Sequence, residues 1–344
     1  MAATMLAAVA DGKGSLNVRE LPIPAFGDCQ ALVRLRFGAT CAGTDLGIID
    51  GGHPFPLPYP AILGHESVGE VLETGSKVRF LRPGDLVARV GAPAAPELGV
   101  GSAWGGFAQY GVAADWRAME ADGIPRELWD KARVQKIIPP SIDPTEAPMI
   151  ITWRETLSYA RRLGLAPGSR ALVIGSGANA LAFIAHLAFE GHRVIAIGSE
   201  RRAADAIRLG AAAAFDYRAG DLAGRLEEAS RGRIDAIVDA VGASAEVGAA
   251  LPFLAEGGVV AVYGWHNRAG YGINPFAAQR SFRVYCGGYD EPETHDEVLR
   301  RMAARALRAS DWYDPGRPVP LAGIAAAYER LKRHDGYKYL IDLA

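Results

Sequence analysis

The chain has 344 residues, 49% of them hydrophobic and 22% charged, and carries a formal net charge of −2. That length suggests two domains with separate cores, and the near-neutral balance speaks against nucleic acid or an anionic membrane as a partner. Even the apolar run LAFIAHLAF is too short to span a bilayer, and three cysteines, Cys29, Cys41 and Cys286, cannot form an even disulfide framework, so a reducing cytoplasm is the expected setting.

The start, MAATMLAAVADGKG, lacks a basic segment and meets Asp11 early, so it does not read as a signal peptide. Residues 4 to 37 alternate strand-like runs (MLAAVA, LNVREL, ALVRLRF) with turn signals, a pattern of antiparallel β structure. TCAGTDLGIIDGG, the proline-dense HPFPLPYP, AILGHESVGEVLETGSKV and FLRPGDLVARV follow. Short strands punctuated by Gly and Pro fit a partly open barrel of the GroES type better than a helical domain. Residues 116 to 136 read as an insertion. From about Thr145 the pattern turns helical.

The stretch Arg170–Arg202 then reads as a buried strand, a glycine turn, a helix and a second strand, the order of a dinucleotide fingerprint. Gly175 allows the tight turn, Gly177 lets the backbone approach a pyrophosphate, and Ala180 in the third place keeps helix and strand close. The helix opening at Ala178 offers free N–H groups to the anion. An NAD site usually ends its second strand on an acid that holds the ribose 2′-hydroxyl, whereas this strand ends Gly198-Ser199-Glu200-Arg201-Arg202. Ser199, Arg201 and Arg202 suit a 2′-phosphate, so NADP(H) is expected over NAD(H), with Glu200 as the alternative ribose acid. Further β–α units (AAAAFDY, IDAIVDAVG, GGVVAVYGW, SFRVYCGGY) extend this into a doubly wound parallel sheet, an α/β fold. Two amphipathic helices and a last strand, YKYLIDL, close the chain.

The order of these pieces resembles the medium-chain dehydrogenase/reductase family, on its zinc-containing alcohol and polyol dehydrogenase side. The resemblance is carried by LVRLRFGATCAGTDLGIIDG, GHESVGEV, VRFLRPGDLV and the spacing to GSGANA, and it covers essentially the whole chain. It implies a GroES-like catalytic domain of residues 1–153 with 291–344, a Rossmann domain of residues 154–290, and hydride transfer between an alcohol, polyol or sugar carbon and a nicotinamide. One catalytic zinc and an assembly of two or four copies are expected with it.

The ligand pattern departs from the family's. Counted forward from LVRLR, the cysteine ligand is Cys41; counted back from Gly43-Thr44-Asp45, the position falls on Ala42, so one residue is inserted. His65 and Glu66 stand in an intact GHE. The later ligand position falls on Ile151 or Thr152, neither a good zinc ligand, with Glu155 one helical turn beyond. Three protein ligands suffice for a catalytic zinc, so Cys41, His65 and Glu66 or Glu155 form the candidate set. The four-cysteine lobe of a structural zinc is absent from ARVGAPAAPELGVGSAWGG. Thr44 is the candidate acceptor of the alcohol's proton, with Glu155, His53 or bulk water ending the relay, and Asp45 is read as holding the turn.

The resemblance also puts Asp239 and Gly242 near the adenosine, Tyr263 near the nicotinamide and Lys338 at the pyrophosphate. Trp104, Trp153, Trp265, His266 and Asn267 are candidate pocket walls for a polyol or sugar. Two rival readings stand beside this one: a zinc-independent reductase of activated double bonds or carbonyls, and a nucleotide-binding protein without turnover.

Overall fold

The computed structural model describes residues 3–265 and 268–344, which form two compact units, one of residues 1–152 with 295–344 and one of residues 153–294. Within the second of these, the segment after Asp290 is tied to Arg154. Arg154 Nη2 donates to Glu291 Oε2 at 2.8 Å, both side chains buried, and Thr294 Oγ1 donates to the Arg154 carbonyl at 2.9 Å.

The first unit is β-rich. A four-stranded sheet runs in the order Leu16–Pro22, Thr4–Ala10, Ala61–Ile62, Gly101–Ser102. A larger sheet is built around Gln30–Ala39, which pairs antiparallel with Ser67–Thr74 on one side and with Leu340–Asp342 near the end of the chain on the other. Register shifts after Leu32 and Leu35 curve the central strand, as bulges do, and help the sheet wrap its core. That core joins Val33, Leu35, Ile62, Val71 and Phe107 to Tyr328, Leu331 and Ile341 from the last stretch of the chain. The sequence TCAGTDLGIIDGG, expected among short strands, instead forms the helix Ala42–Ile49 with Cys41 at its N-cap. The insertion-like stretch folds as a short helix, Trp116–Ala121, and two 3₁₀ turns, with Trp116 and Trp129 stacked at 6.1 Å.

The second unit is a six-stranded parallel sheet in the order Ala211–Asp216, Arg193–Gly198, Arg170–Ile174, Ile234–Asp239, Leu254–Val262, Phe282–Tyr285. The continuous apolar runs in its middle are buried, as strands covered on both faces require. The strand order reverses beside Arg170–Ile174, and such a switch point opens a crevice for a ligand at the carboxyl ends of the strands. Among the described residues no helix is long and apolar enough to cross a membrane.

Candidate functional site

In the first unit, the GHE triplet follows a turn that only glycine accommodates well. Gly64 has φ +100°, and a Cβ there would lie 2.5 Å from Phe107 Cδ2, so the turn presses against the core ring and presents the next two residues in a fixed direction. His65 and Glu66 are buried, and their donor atoms and the Cys41 sulfur all lie within 4.8 Å of one another. The inserted residue does not remove the cysteine from this cluster. It is taken up by the helix Ala42–Ile49, whose first turn closes with Asp45 N donating to Cys41 O at 2.9 Å. Ala42, the other candidate position, carries no donor atom. Thr44 Oγ1 lies 3.7 Å from Cys41 Sγ.

Asp45 holds the turn as expected, its Oδ2 accepting from Cys41 N at 2.7 Å, but it also does more. Its Oδ1 faces His65 Nδ1 at 3.3 Å, while Nε2 lies 3.7 Å from Glu66 Oε1. A carboxylate behind a histidine fixes the ring and leaves the other nitrogen to a metal. Tyr328 donates to Asp45 Oδ2 at 2.6 Å, and burial, with the Asp45 carboxylate beside it, pushes this hydroxyl's pKa well up, so it remains a donor. Burial alone would lower the His65 pKa, but the bonds to Asp45 and Cys41 outweigh it and hold it well above the usual histidine value. A metal bound here would have to displace a proton. A thiolate, an imidazole and a carboxylate, buried and convergent, fit zinc.

Lys338, expected to face a phosphate, is paired with Glu66 in this cluster. It is buried, and its ammonium donates to Glu66 Oε1 at 2.6 Å, to Glu66 Oε2 at 2.7 Å and to Thr40 O at 3.1 Å, which uses its three N–H groups. Burial pushes its pKa down, and the Glu66 carboxylate more than restores it, so Lys338 stays cationic. Its position follows from Leu340–Asp342 pairing with Gln30–Ala39, which sets Tyr339 against Thr40.

In the second unit, Gly175 has φ +126° and sits where a Cβ would meet Val241 and Ala180 at 2.8 and 3.2 Å. Gly177 caps the helix Ala178–Phe189, and a Cβ there would meet nothing within 4 Å. Its φ of −85° suits any residue, so Gly177→Val should leave the fold intact and fill only the space a pyrophosphate needs. Nicotinamide fluorescence titration should show affinity at least about tenfold weaker than in the parent, with an unchanged circular dichroism spectrum. Equal affinities would remove the turn from the nucleotide site.

A cleft of about 240 Å³ is lined by Gly175, Ser176, Ser199, Tyr217, Val241 and Glu246. The two expected arginines part company. Arg202 donates to Ser176 O at 3.1 Å, bracing the glycine turn, while Arg201 is exposed. Ser176 and Tyr217, which the sequence did not single out, are lining residues; Ser176 Oγ also accepts from Ser199 N at 3.2 Å. The Asp239 side chain is buried and serves its own loop, accepting from Val241 N, Gly242 N and Ala243 N at 2.8–2.9 Å, so the residue expected near the adenosine shapes the wall and offers no free carboxylate. Gly242, at φ +94°, completes that loop. Tyr263 packs on Phe183 and Tyr159, with ring centroids 4.9 and 5.1 Å away, and its hydroxyl donates to Glu155 Oε2 at 3.4 Å.

Of the candidate pocket walls, Trp153 is fully buried, Trp265 is 40% exposed, and Trp104 stands beside His65 with ring centroids 5.5 Å apart. His266 and Asn267 lie outside the described residues.

Comparisons with known proteins agree with this architecture. Residues 27–123 match the alcohol dehydrogenase GroES-like domain, and residues 174–304 match the zinc-binding dehydrogenase family. The chain is 31% identical over 266 residues to an NADP-dependent isopropanol dehydrogenase of Clostridium beijerinckii, covering 74% of each chain. It is 27% identical to L-galactonate-5-dehydrogenase of Escherichia coli (strain K12), covering 91% of this chain and 90% of that one. The crystal structure of 2R,3R-butanediol dehydrogenase from Bacillus subtilis superposes with a TM-score of 0.81 at 20% identity, covering 98% of this chain and 99% of that one.

Proposed function

This chain belongs to the zinc-binding alcohol dehydrogenase family, whose members transfer a hydride between an alcohol or polyol carbon and a nicotinamide, and from that premise we propose one catalytic zinc on Cys41, His65 and Glu66, NADP(H) as preferred cofactor, and a polyol or sugar as substrate. The observation that carries the reading is the buried convergence of those three donors. When bound, zinc supplies a Lewis acid that makes an alcohol oxygen easier to deprotonate. Asp45 orients His65, Tyr328 holds Asp45, and Lys338 balances the charge of Glu66. The Thr44 hydroxyl would accept the alcohol's proton in a relay that passes its own on to bulk water. Glu155, which accepts from Tyr263, keeps the proposed part in proton handling. In the second unit, Gly175, Gly177, Ala178 and Ala180 seat the pyrophosphate, with Gly242 and Tyr263 on the walls.

The reading is tested by metal analysis of protein purified without chelator, which should find about one zinc per chain, together with assays on small alcohols and polyols. A metal-free protein that reduces activated double bonds and ignores alcohols would replace it with the zinc-independent reductase.

NADP preference rests on Ser199 and the basic pair standing where an acid would hold a ribose hydroxyl, and the isopropanol dehydrogenase relative is named for the same cofactor. Replacing Arg201 and Arg202 together with Ala should lower the NADP⁺/NAD⁺ ratio of kcat/KM by on the order of 10–100-fold, the loss of one charge-assisted contact or more. Parallel kinetics with both cofactors decide it, and an unchanged ratio would reduce the pair to a brace and a solvated side chain. The edge strand Phe282–Tyr285, with Val284 52% exposed, supports a homo-oligomer, and three free cysteines suit a reducing cytoplasm.

A further inference from the structure

Trp104 is out of place by the ordinary rules. Its φ is +64°, a conformation that bulky side chains avoid, and it is followed by Gly105 at φ +72°. The turn around it is clamped. Ala92 N donates to Gly105 O at 2.9 Å, Ser102 Oγ donates to Ala92 O at 2.7 Å, and the Trp104 carbonyl lies so close to Gly91 that a Cβ there would be 1.8 Å away. Glycine would satisfy such a backbone, yet the residue is tryptophan. Nor is the strain explained by core packing, because Trp104 is 45% exposed. Its ring lies against His65 at 5.5 Å and meets the His53 ring edge-on at 5.9 Å. A strained, half-exposed aromatic beside a candidate ligand of the reactive centre is the kind of outlier that points to function.

Resting on the alcohol dehydrogenase reading above, we infer that Trp104 is the specificity-determining platform for the substrate, its indole face packing the C–H side of a polyol or sugar whose carbinol lies at the Cys41, His65 and Glu66 cluster. An indole gives a polyol a broad apolar face at little cost in side-chain entropy, while a two- or three-carbon alcohol is too short to use it. The residue therefore separates substrates by KM and leaves the chemical step alone.

Three variants test this. Trp104→Asn removes the ring and keeps a residue that tolerates the left-handed backbone, Trp104→Gly relieves the strain, and Trp104→Phe keeps a smaller face. With sorbitol as the polyol and 2-propanol as the small alcohol, Asn and Gly should raise the sorbitol KM by about tenfold or more at nearly constant kcat, so that the sorbitol/2-propanol ratio of kcat/KM falls several-fold or more. Phe should recover part of the sorbitol KM, and sorbitol should quench tryptophan fluorescence in the parent but not in Trp104→Asn. The melting temperature of Trp104→Gly should equal or exceed the parent's. A sorbitol/2-propanol ratio that does not move in Asn and Gly, or a parent that prefers 2-propanol, overturns the platform while the dehydrogenase reading stands. A parent inert toward every alcohol overturns that reading and the platform with it.

Discussion

Cys41→Ser should strip most of the zinc from the protein and lower alcohol turnover by on the order of 10³-fold, the rate equivalent of the several kcal/mol a Lewis acid supplies. The fold should survive. Cys41 occupies the N-cap of Ala42–Ile49 without a side-chain capping bond, and serine is a better residue for that position. Loss of metal would then be a loss of the soft sulfur donor and not of the turn, since Asp45 still has the backbone N–H of residue 41 to hold. Cys29→Ser and Cys286→Ser should keep both zinc and activity, because one is half-buried away from any donor cluster among the described residues and the other is exposed. Elemental analysis beside kinetics on all three is the measurement. A parent that turns over alcohols undiminished in chelator would sink the metal site.

Lys338→Met should cost about 3–5 kcal/mol, because it leaves the buried Glu66 carboxylate without the cation that faces both its oxygens. In a unit of this size that is a fall in melting temperature of roughly 6–20 °C. The sign with pH is also set. A lysine whose pKa is raised on folding contributes its stability fully below the unfolded lysine value and loses it only as pH climbs through the raised one, so the clasp is complete across the neutral range. Adding Glu66→Gln to Lys338→Met should restore much of the melting temperature, since two neutral partners no longer strand a charge. Scanning calorimetry of the single and double variants checks both statements. A Lys338→Met protein that melts with the parent would mean that Glu66 finds another counter-ion.

The features legible in the sequence were those with short-range signatures. The runs MLAAVA, LNVREL and ALVRLRF became the strands Thr4–Ala10, Leu16–Pro22 and Gln30–Ala39, and the strand–glycine–helix order of Arg170–Phe189 folded as its pattern required. What sequence could not supply was set by long-range pairing. Tyr328 meets Asp45 across 283 positions and Lys338 meets Glu66 across 272, and no local pattern encodes either contact. For Asp239 the sequence could not show which way the carboxylate turns. An acid after an apolar strand looks the same whether its carboxylate faces a ligand or folds back onto three amides of its own loop. Trp104 was visible as a tryptophan, but its left-handed backbone was not.

The pairing of Leu340–Asp342 with Gln30–Ala39 gives the protein a schedule as well as a shape. Ribosomal synthesis delivers Cys41, His65 and Glu66 well before Tyr328 and Lys338, which fix the orientation of one donor and the charge of another and lie 283 and 272 positions beyond their partners Asp45 and Glu66. The second unit is contiguous in the chain and can close during elongation, while the first must hold its strands open across the whole of it. Until the final strand docks, the cluster has its donors but not their supports: His65 lacks the Tyr328-anchored carboxylate behind it, and Glu66 is an uncompensated anion. The proposed metal site would thus be a late product of folding, and its appearance would report that the two distant segments of the first unit have found each other.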